Sequence, residues 1–299
     1  MAKRRASGTE IVLNSGGYEA RVVTVGAALA SLKLNDTDII LGHDADTIAK
    51  ACQGVTLVPW PNRIADARYV FNGTEYLLDI TEPRTGSAIH GFMSWVDWSV
   101  VHSDADSTTL GTFIAPRPGY PWALESWVTY ALSETRGLTV TITSKNIGSE
   151  SAPYGVASHP YLTLGETPNA SYELTVPAAS VLETDERQTP IAKRPVEELD
   201  YDYRQGRILG DQHIDHAFTD IDEGEWTVTI RDPQSDSRVN LSADAPWLQI
   251  FSAERLDRLG VAVEPMTCAP NAFNSGLGLI VLEPEESHTM TFRIHGQLA

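Results

Sequence analysis

Short runs of alternating apolar and polar residues, closed by tight polar turns, recur along the whole 299-residue chain. Arg68-Tyr69-Val70-Phe71, then Asn72-Gly73, then Thr74 to Leu78 is a hairpin signature, because Asn-Gly supplies the positive φ values of a type I′ turn. Leu138, Val140 and Ile142 alternate with Thr139, Thr141 and Thr143, the pattern of a half-buried strand. Its partner run, Trp127 to Ser133, precedes the turn Glu134 to Gly137. Similar pairs are expected for Trp98–His102 with Thr108–Ile114, Trp226–Arg231 with Arg238–Ser242, and Leu279–Leu282 with Thr289–Ile294. Helical periodicity is scarce. One short helix, Asp44 to Cys52 with Asp44 as N-cap, fits the pattern. Glu183 to Arg207 is charged and irregular and reads as a long ordered loop. Many short strands joined by tight turns imply an all-β chain, one large antiparallel β-sandwich. A β-propeller is the topological rival, but the chain lacks blade-like self-similarity.

No Gly/Ser- or Pro-rich linker divides the chain, so residues 1–299 are read as a single domain, with 1–9 a flexible leader. The formal charge of −18 repels phosphate backbones and anionic membranes, so neither nucleic acid nor membrane is an expected partner. Cys52 and Cys268 are too few for a disulfide scaffold and lack metal-site spacing. Free thiols in a cytoplasmic protein are expected. No signal-peptide core follows the basic start, and no stretch approaches transmembrane length.

Five segments carry groups suited to chemistry. Val58-Pro59-Trp60-Pro61 is a stiff turn that can aim Asn62 and Arg63, and Arg63 is a rigid fork of donors. His90 precedes Gly91, where backbone or ligand can come close. Pro160 biases His159 toward an extended conformation. Asp215 can accept hydrogen bonds from hydroxyls, and Glu264 ends an apolar run as a carboxylate in need of a partner or a role. Each alone has a structural alternative: an ion pair for Arg63, a turn cap for Asp215, a satisfied core residue for either histidine. His213 and His216 invite a metal reading with His90 and His159, but the spacing fits no two-histidine zinc site. Imidazoles and a carboxylate together point to proton transfer near neutral pH.

In their order, Asn62-Arg63-Ile64, His90-Gly91, His159-Pro160-Tyr161, Asp215-His216-Ala217-Phe218 and Glu264-Pro265 resemble the aldose 1-epimerases, or galactose mutarotases, over about Glu10 to His295. The stretches Val58 to Ile64 and Glu264 to Gly276 look most like the bacterial mutarotase-related branch. The resemblance implies a galactose mutarotase-like supersandwich that interconverts the α and β anomers of a free aldose such as glucose or galactose. It implies Glu264 as base, His159 as acid and His90 as its assistant. Arg63, Asn62, Asp215 and Tyr161 would bind substrate, and Trp60 or Tyr161 would pack on a sugar face. No cofactor or metal is implied, and a monomer or homodimer is expected. Phe92 and Leu162 depart from the best-known enzymes, where a second glycine and an aromatic stand, and are expected to reshape the pocket.

Three rivals are a sugar-phosphate 1-epimerase, a non-catalytic sugar-binding protein and a glycosidase using Asp215 and Glu264. Among the motifs only Arg63 is basic, so neutral aldoses are expected over their 6-phosphates. Two or more basic side chains converging beside His90 and Asp215, with Arg84 and Lys193 as candidates, would reverse that expectation.

Overall fold

The computed structural model describes residues 5–299. A nine-stranded antiparallel sheet runs in the order Ser99–Ser103, Ser107–Ile114, Leu124–Ser133, Gly137–Asn146, Ser287–Gln297, Arg238–Ala243, Trp226–Arg231, Glu173–Thr175, Arg207–Ile208. Alternation decides its two faces. Leu138, Val140 and Ile142 are buried, while the threonines between them face outward. There Thr143 meets Thr289 at 2.9 Å and Thr141 meets Thr291 at 3.3 Å, cross-strand pairs that help fix the register.

The second sheet has eight strands. Its main path is Pro190–Pro195, Ala178–Thr184, Asp215–Ile221, Trp247–Phe251, Val261–Met266, Ala157–Ser158, Thr56–Leu57, and Tyr161–Leu162 also pairs with Val261–Met266. One apolar cluster joins Val128, Val140, Leu241 and Phe292 of the first sheet to Val181, Phe218, Leu248 and Val263 of the second. Packing of two antiparallel sheets through their inner faces is the expected sandwich. A four-stranded sheet, Glu10–Ser15, Tyr18–Val23, Ala28–Leu34 and Thr37–Asp38, adds Leu13, Val22, Leu29 and Leu32 to the same core.

Most expected hairpins form: Arg68–Phe71 with Thr74–Leu77, Leu124–Ser133 with Gly137–Asn146, Ser99–Ser103 with Ser107–Ile114, Trp226–Arg231 with Arg238–Ala243. Three expectations fail. Ile280–Leu282 is a strand, but it pairs with Ala152–Tyr154, while Ser287–Gln297 joins the large sheet. Glu285 N donates to Asn146 O at 2.8 Å, which docks the turn there and parts its two arms. Asp44–Cys52 is not a helix; only Lys50–Cys52 turns, as 3-10. Its inward anchors are Ala45 and Ala49, too small an apolar face to hold a helix, and Asp44 Oδ1 instead caps a turn at Asp46 N, 2.8 Å. The stretch 183–207 contains a strand, Pro190–Pro195, paired with Ala178–Thr184; its charge is outward, with Arg194 on Glu183 at 3.0 Å.

Of the residues read as a leader, 1–4 lie outside the described residues. The rest lie against the fold: Ser7 N donates to Ala45 O at 2.9 Å, and Thr9 N to Thr24 Oγ1 at 2.8 Å. Among the described residues, no helix is long and apolar enough to cross a membrane.

Candidate active site

Strand alternation builds the site. Leu248, Ile250 and Val263 point into the sandwich core, so Gln249, Phe251 and Glu264 take the opposite face of the eight-stranded sheet. Gln249 stands directly across from Glu264 in the register. Asp215 pairs with Phe251 on the next strand, and Tyr161 pairs with Ala262 on the far side of Glu264. His159, two residues before Tyr161, shares its face.

A separate two-stranded pair, Arg63–Ile64 with Ala88–Ile89, supplies the facing wall. Val58–Pro59 is a cis peptide, and Gly91 packs on it with φ +68°. A Cβ on Gly91 would lie 2.1 Å from Val58 O, so the close approach anticipated beside His90 is backbone on backbone. His90 itself has φ 62°, held by His90 N donating to Asn62 O at 2.9 Å.

The result is a cleft of about 420 Å³ whose lining includes Asn62, Arg63, His90, His159, Tyr161, Asp215 and Glu264. All seven residues singled out from the sequence converge there. His159 Nε2 lies 3.3 Å from Glu264 Oε1, and the His90 and His159 rings meet edge to face, 5.6 Å apart. Glu264 and Gln249 are 2% exposed and His159 6%. Glu264 Oε2, His159 Nδ1 and Gln249 Oε1 are buried with no hydrogen-bond partner in the protein. Buried polar atoms are mostly paired; of the eleven unpaired ones among the described residues, these three share one face of the sheet.

Burial pushes the Glu264 carboxyl well above the ordinary carboxylate range; the charge of Asp215 adds to this and Arg63 opposes it. Burial lowers His159 to about 3, against a contact with its own backbone that raises it and with Arg63 in support. His90 is pushed well below its ordinary value by burial first, then by His159, Arg63 and Arg255. His90 Nδ1 accepts from Asn62 N at 3.2 Å, which leaves the proton of the neutral ring on Nε2 as a donor.

Some residues serve differently from the expectation. Tyr161 Oη donates to Ala51 O at 2.8 Å, and its ring stacks on His159 at 5.0 Å and 20°. Trp60 lies in the core, 4.7 Å from Phe92 and 5.8 Å from Phe273, and is not part of the lining. Phe92 and Leu162 are also absent from it; Phe92 packs on Trp60, and Leu162 is in the main core. The two departures therefore do not line the cleft. His216 packs on Tyr201 at 4.8 Å, and among the described residues no cluster suits a metal ion.

The sequence reading missed Gln249, Glu254 and Arg255. Gln249 Nε2 donates to Asp215 Oδ1 at 2.7 Å and so orients that carboxylate. A lone amide inside the apolar run Trp247 to Phe251 was the available signal. Arg255 stands on a one-turn element, Glu254–Leu256, with no motif to betray it. Lys193 goes elsewhere, to Asp220 at 2.8 Å.

The family model described as aldose 1-epimerase matches residues 9–295. The uncharacterized protein YihR of Escherichia coli K12 is 43% identical over 291 residues, covering 97% of this chain and 94% of its own. Among solved structures, the GalM/aldose epimerase homologue from C. elegans matches with a TM-score of 0.87 at 20% identity, over 97% of this chain and 99% of that one. Galactose 1-epimerase from Lactobacillus acidophilus NCFM matches with a TM-score of 0.85 at 18% identity, over 97% and 94%. At such identities the structural likeness speaks for the fold alone.

Proposed function

The chain belongs to the aldose 1-epimerase family, and from that premise we propose that it interconverts the α and β anomers of an aldose by acid–base opening and closing of the ring. The observation that carries this reading is the buried contact of 3.3 Å between His159 Nε2 and Glu264 Oε1. The anomeric hydroxyl and the ring oxygen share one carbon, so the base for the first and the acid for the second must stand side by side.

Burial disfavours a lone charge on either group, and the pair stays net neutral with one proton to share. Those directions put the resting proton on Glu264, and its transfer to His159, 3.3 Å away, readies Glu264 to take the proton of the anomeric hydroxyl. The bond from C1 to the ring oxygen breaks, and His159 protonates that oxygen. The product is an open-chain aldehyde, with Glu264 protonated and His159 neutral. Rotation about C1–C2 presents the other face. In closure the C5 hydroxyl returns a proton to His159 as it attacks C1, and Glu264 protonates the aldehyde oxygen. Both protonation states of the pair are used once per cycle, and no cofactor enters the balance. His90, neutral with its proton on Nε2, donates to the ring oxygen. Arg63, Asn62 and Asp215 hold other hydroxyls, and Tyr161 positions His159 through its stacked ring.

The test is polarimetry on freshly dissolved pure α-aldoses. Enzyme-dependent acceleration toward the anomeric equilibrium, lost in folded Glu264→Gln, is expected. A folded wild-type protein that accelerates no aldose would sink the reading.

A further inference from the structure

The cleft holds more positive charge than its motifs show. Arg84 and Arg255 both line it. Twelve arginines make ion pairs: 5, 21, 63, 68, 187, 194, 204, 207, 231, 238, 258 and 293. Among the described residues, Arg84, Arg117, Arg136 and Arg255 make none. Arg117 lies over the Phe92 ring at 4.3 Å, and Arg136 is in a distant hairpin turn.

Both cleft arginines stand next to an acid already engaged. Glu254, adjacent to Arg255, accepts from Arg258 at 2.8 Å and contacts His213 Nδ1 at 2.9 Å. Glu82, two residues before Arg84, is bonded to Arg63 at 2.6 Å and 3.0 Å. In a chain with 40 acidic and 22 basic residues, two guanidinium groups that make no ion pair line one cleft, although the charge of Arg84 also acts on Glu82. The field of Arg255 reaches His90 and Tyr161, so it stands within range of the acid–base groups.

We infer that Arg255 and Arg84 select an aldose bearing an oxyanion group remote from its anomeric carbon. This deepens the anomer-interconversion reading and rests on it. Guanidinium forks match the oxygens of a carboxylate, sulfate or phosphate, and bonds between ionised partners are the strong ones. The same pair also explains how an anionic sugar enters a protein of charge −18 with Asp215 and Glu264 in its cleft. The expected preference for neutral aldoses rested on Arg63 being the one basic residue of the motifs; Arg84, one of the two candidates named to reverse it, lines the cleft together with Arg255.

The experiment compares specificity constants for anomer interconversion of a neutral hexose, its uronic acid, its 6-sulfate and its 6-phosphate, with spontaneous rates subtracted. At least one anionic sugar is expected to exceed the neutral one by about 10-fold or more, and the best arm identifies the group. In Arg255→Gln and Arg84→Gln that ratio should fall by about 10-fold, while Arg136→Gln leaves it unchanged. Should a cleft variant not fold, wild-type protein serves: rising salt should erode the anionic preference and not the neutral rate. Equal or better turnover of the neutral hexose overturns the inference and leaves the acid–base reading standing. No acceleration of any of the four sugars removes both.

Discussion

Arg63 and Glu82 grip each other at two points, Nε to Oε2 at 2.6 Å and Nη2 to Oε1 at 3.0 Å, with both side chains about one-tenth exposed (10% and 11%). Arg63 Nη1 also reaches Asn62 Oδ1 at 3.3 Å. The arginine that the motif offers to substrate is thus first a fixed part of the wall, and its charge steadies Glu264 from a set position.

Removing one partner of such a pair strands the other. Glu82→Gln should cost about 3 kcal/mol, read as a lower midpoint in urea denaturation. Burial acts to raise the Glu82 carboxyl, but bonds from Arg63 and Thr85 hold it below its ordinary 4.5. The stabilising contribution is therefore present above pH 4.5 and lost as pH falls through the lower folded value. Unchanged stability in the Gln variant at pH 7 would show that the pair carries no net weight.

Glu264→Gln keeps shape and removes basicity. Turnover should fall by at least about 10²-fold while the fold survives. Stability separates the chemistry from the packing. A carboxyl raised in the folded state contributes stability that is complete below its unfolded 4.5 and fades as pH rises through the folded value. Wild type should therefore lose ground to the Gln variant progressively above pH 4.5. Melting temperatures of both proteins across that range give the answer, and a constant difference would contradict a raised Glu264.

Tyr161 offers a split between contact and positioning. Tyr161→Phe keeps the ring on His159 and gives up the bond to Ala51 O, a loss of about 1 kcal/mol in stability. Its kcat should stay within a few-fold of wild type. Tyr161→Ala should lower kcat far more than it alters KM. A large rise in KM for the Phe variant would mean that the hydroxyl touches sugar after all.

Gly91→Ala puts a methyl group 2.1 Å from Val58 O at a φ of +68°. Space and backbone both oppose it, so destabilisation above about 1 kcal/mol is expected, together with lost activity as His90 shifts. Thermal melts and polarimetry on one preparation check both. Gly73 makes the control: its φ is +77° but nothing lies within 4 Å of an added Cβ.

The parts of the site that sequence revealed are those whose chemistry is local. His159, Glu264, His90 and Asp215 sit beside prolines, glycines or apolar runs that set them apart, and their order along the chain repeats a family pattern. Gln249 was visible only as one amide in an apolar strand. Arg255 was invisible, because its meaning depends on Glu254 being committed to Arg258 and His213. Strand pairing shows the same divide. Asn72-Gly73 forces a hairpin from within, whereas the turn at 283–286 is decided by Asn146, far away in sequence. The family resemblance offered Trp60 as a sugar platform, but Phe92, Tyr120 and Phe273 close around it in three dimensions.

His159 follows the short strand Ala157–Ser158, Tyr161 opens the next, Tyr161–Leu162, and Gln249 and Glu264 lie on two longer strands of the sheet, whereas Arg84, Gln188 and Arg255 stand on turns around the rim. On the proposed reading, the proton chemistry is therefore built on the sheet, and the groups proposed to meet the far end of a sugar hang from segments that tolerate replacement. On the proposed reading, substitutions on those three turns would change which sugar is taken and leave the proton-transfer groups in place.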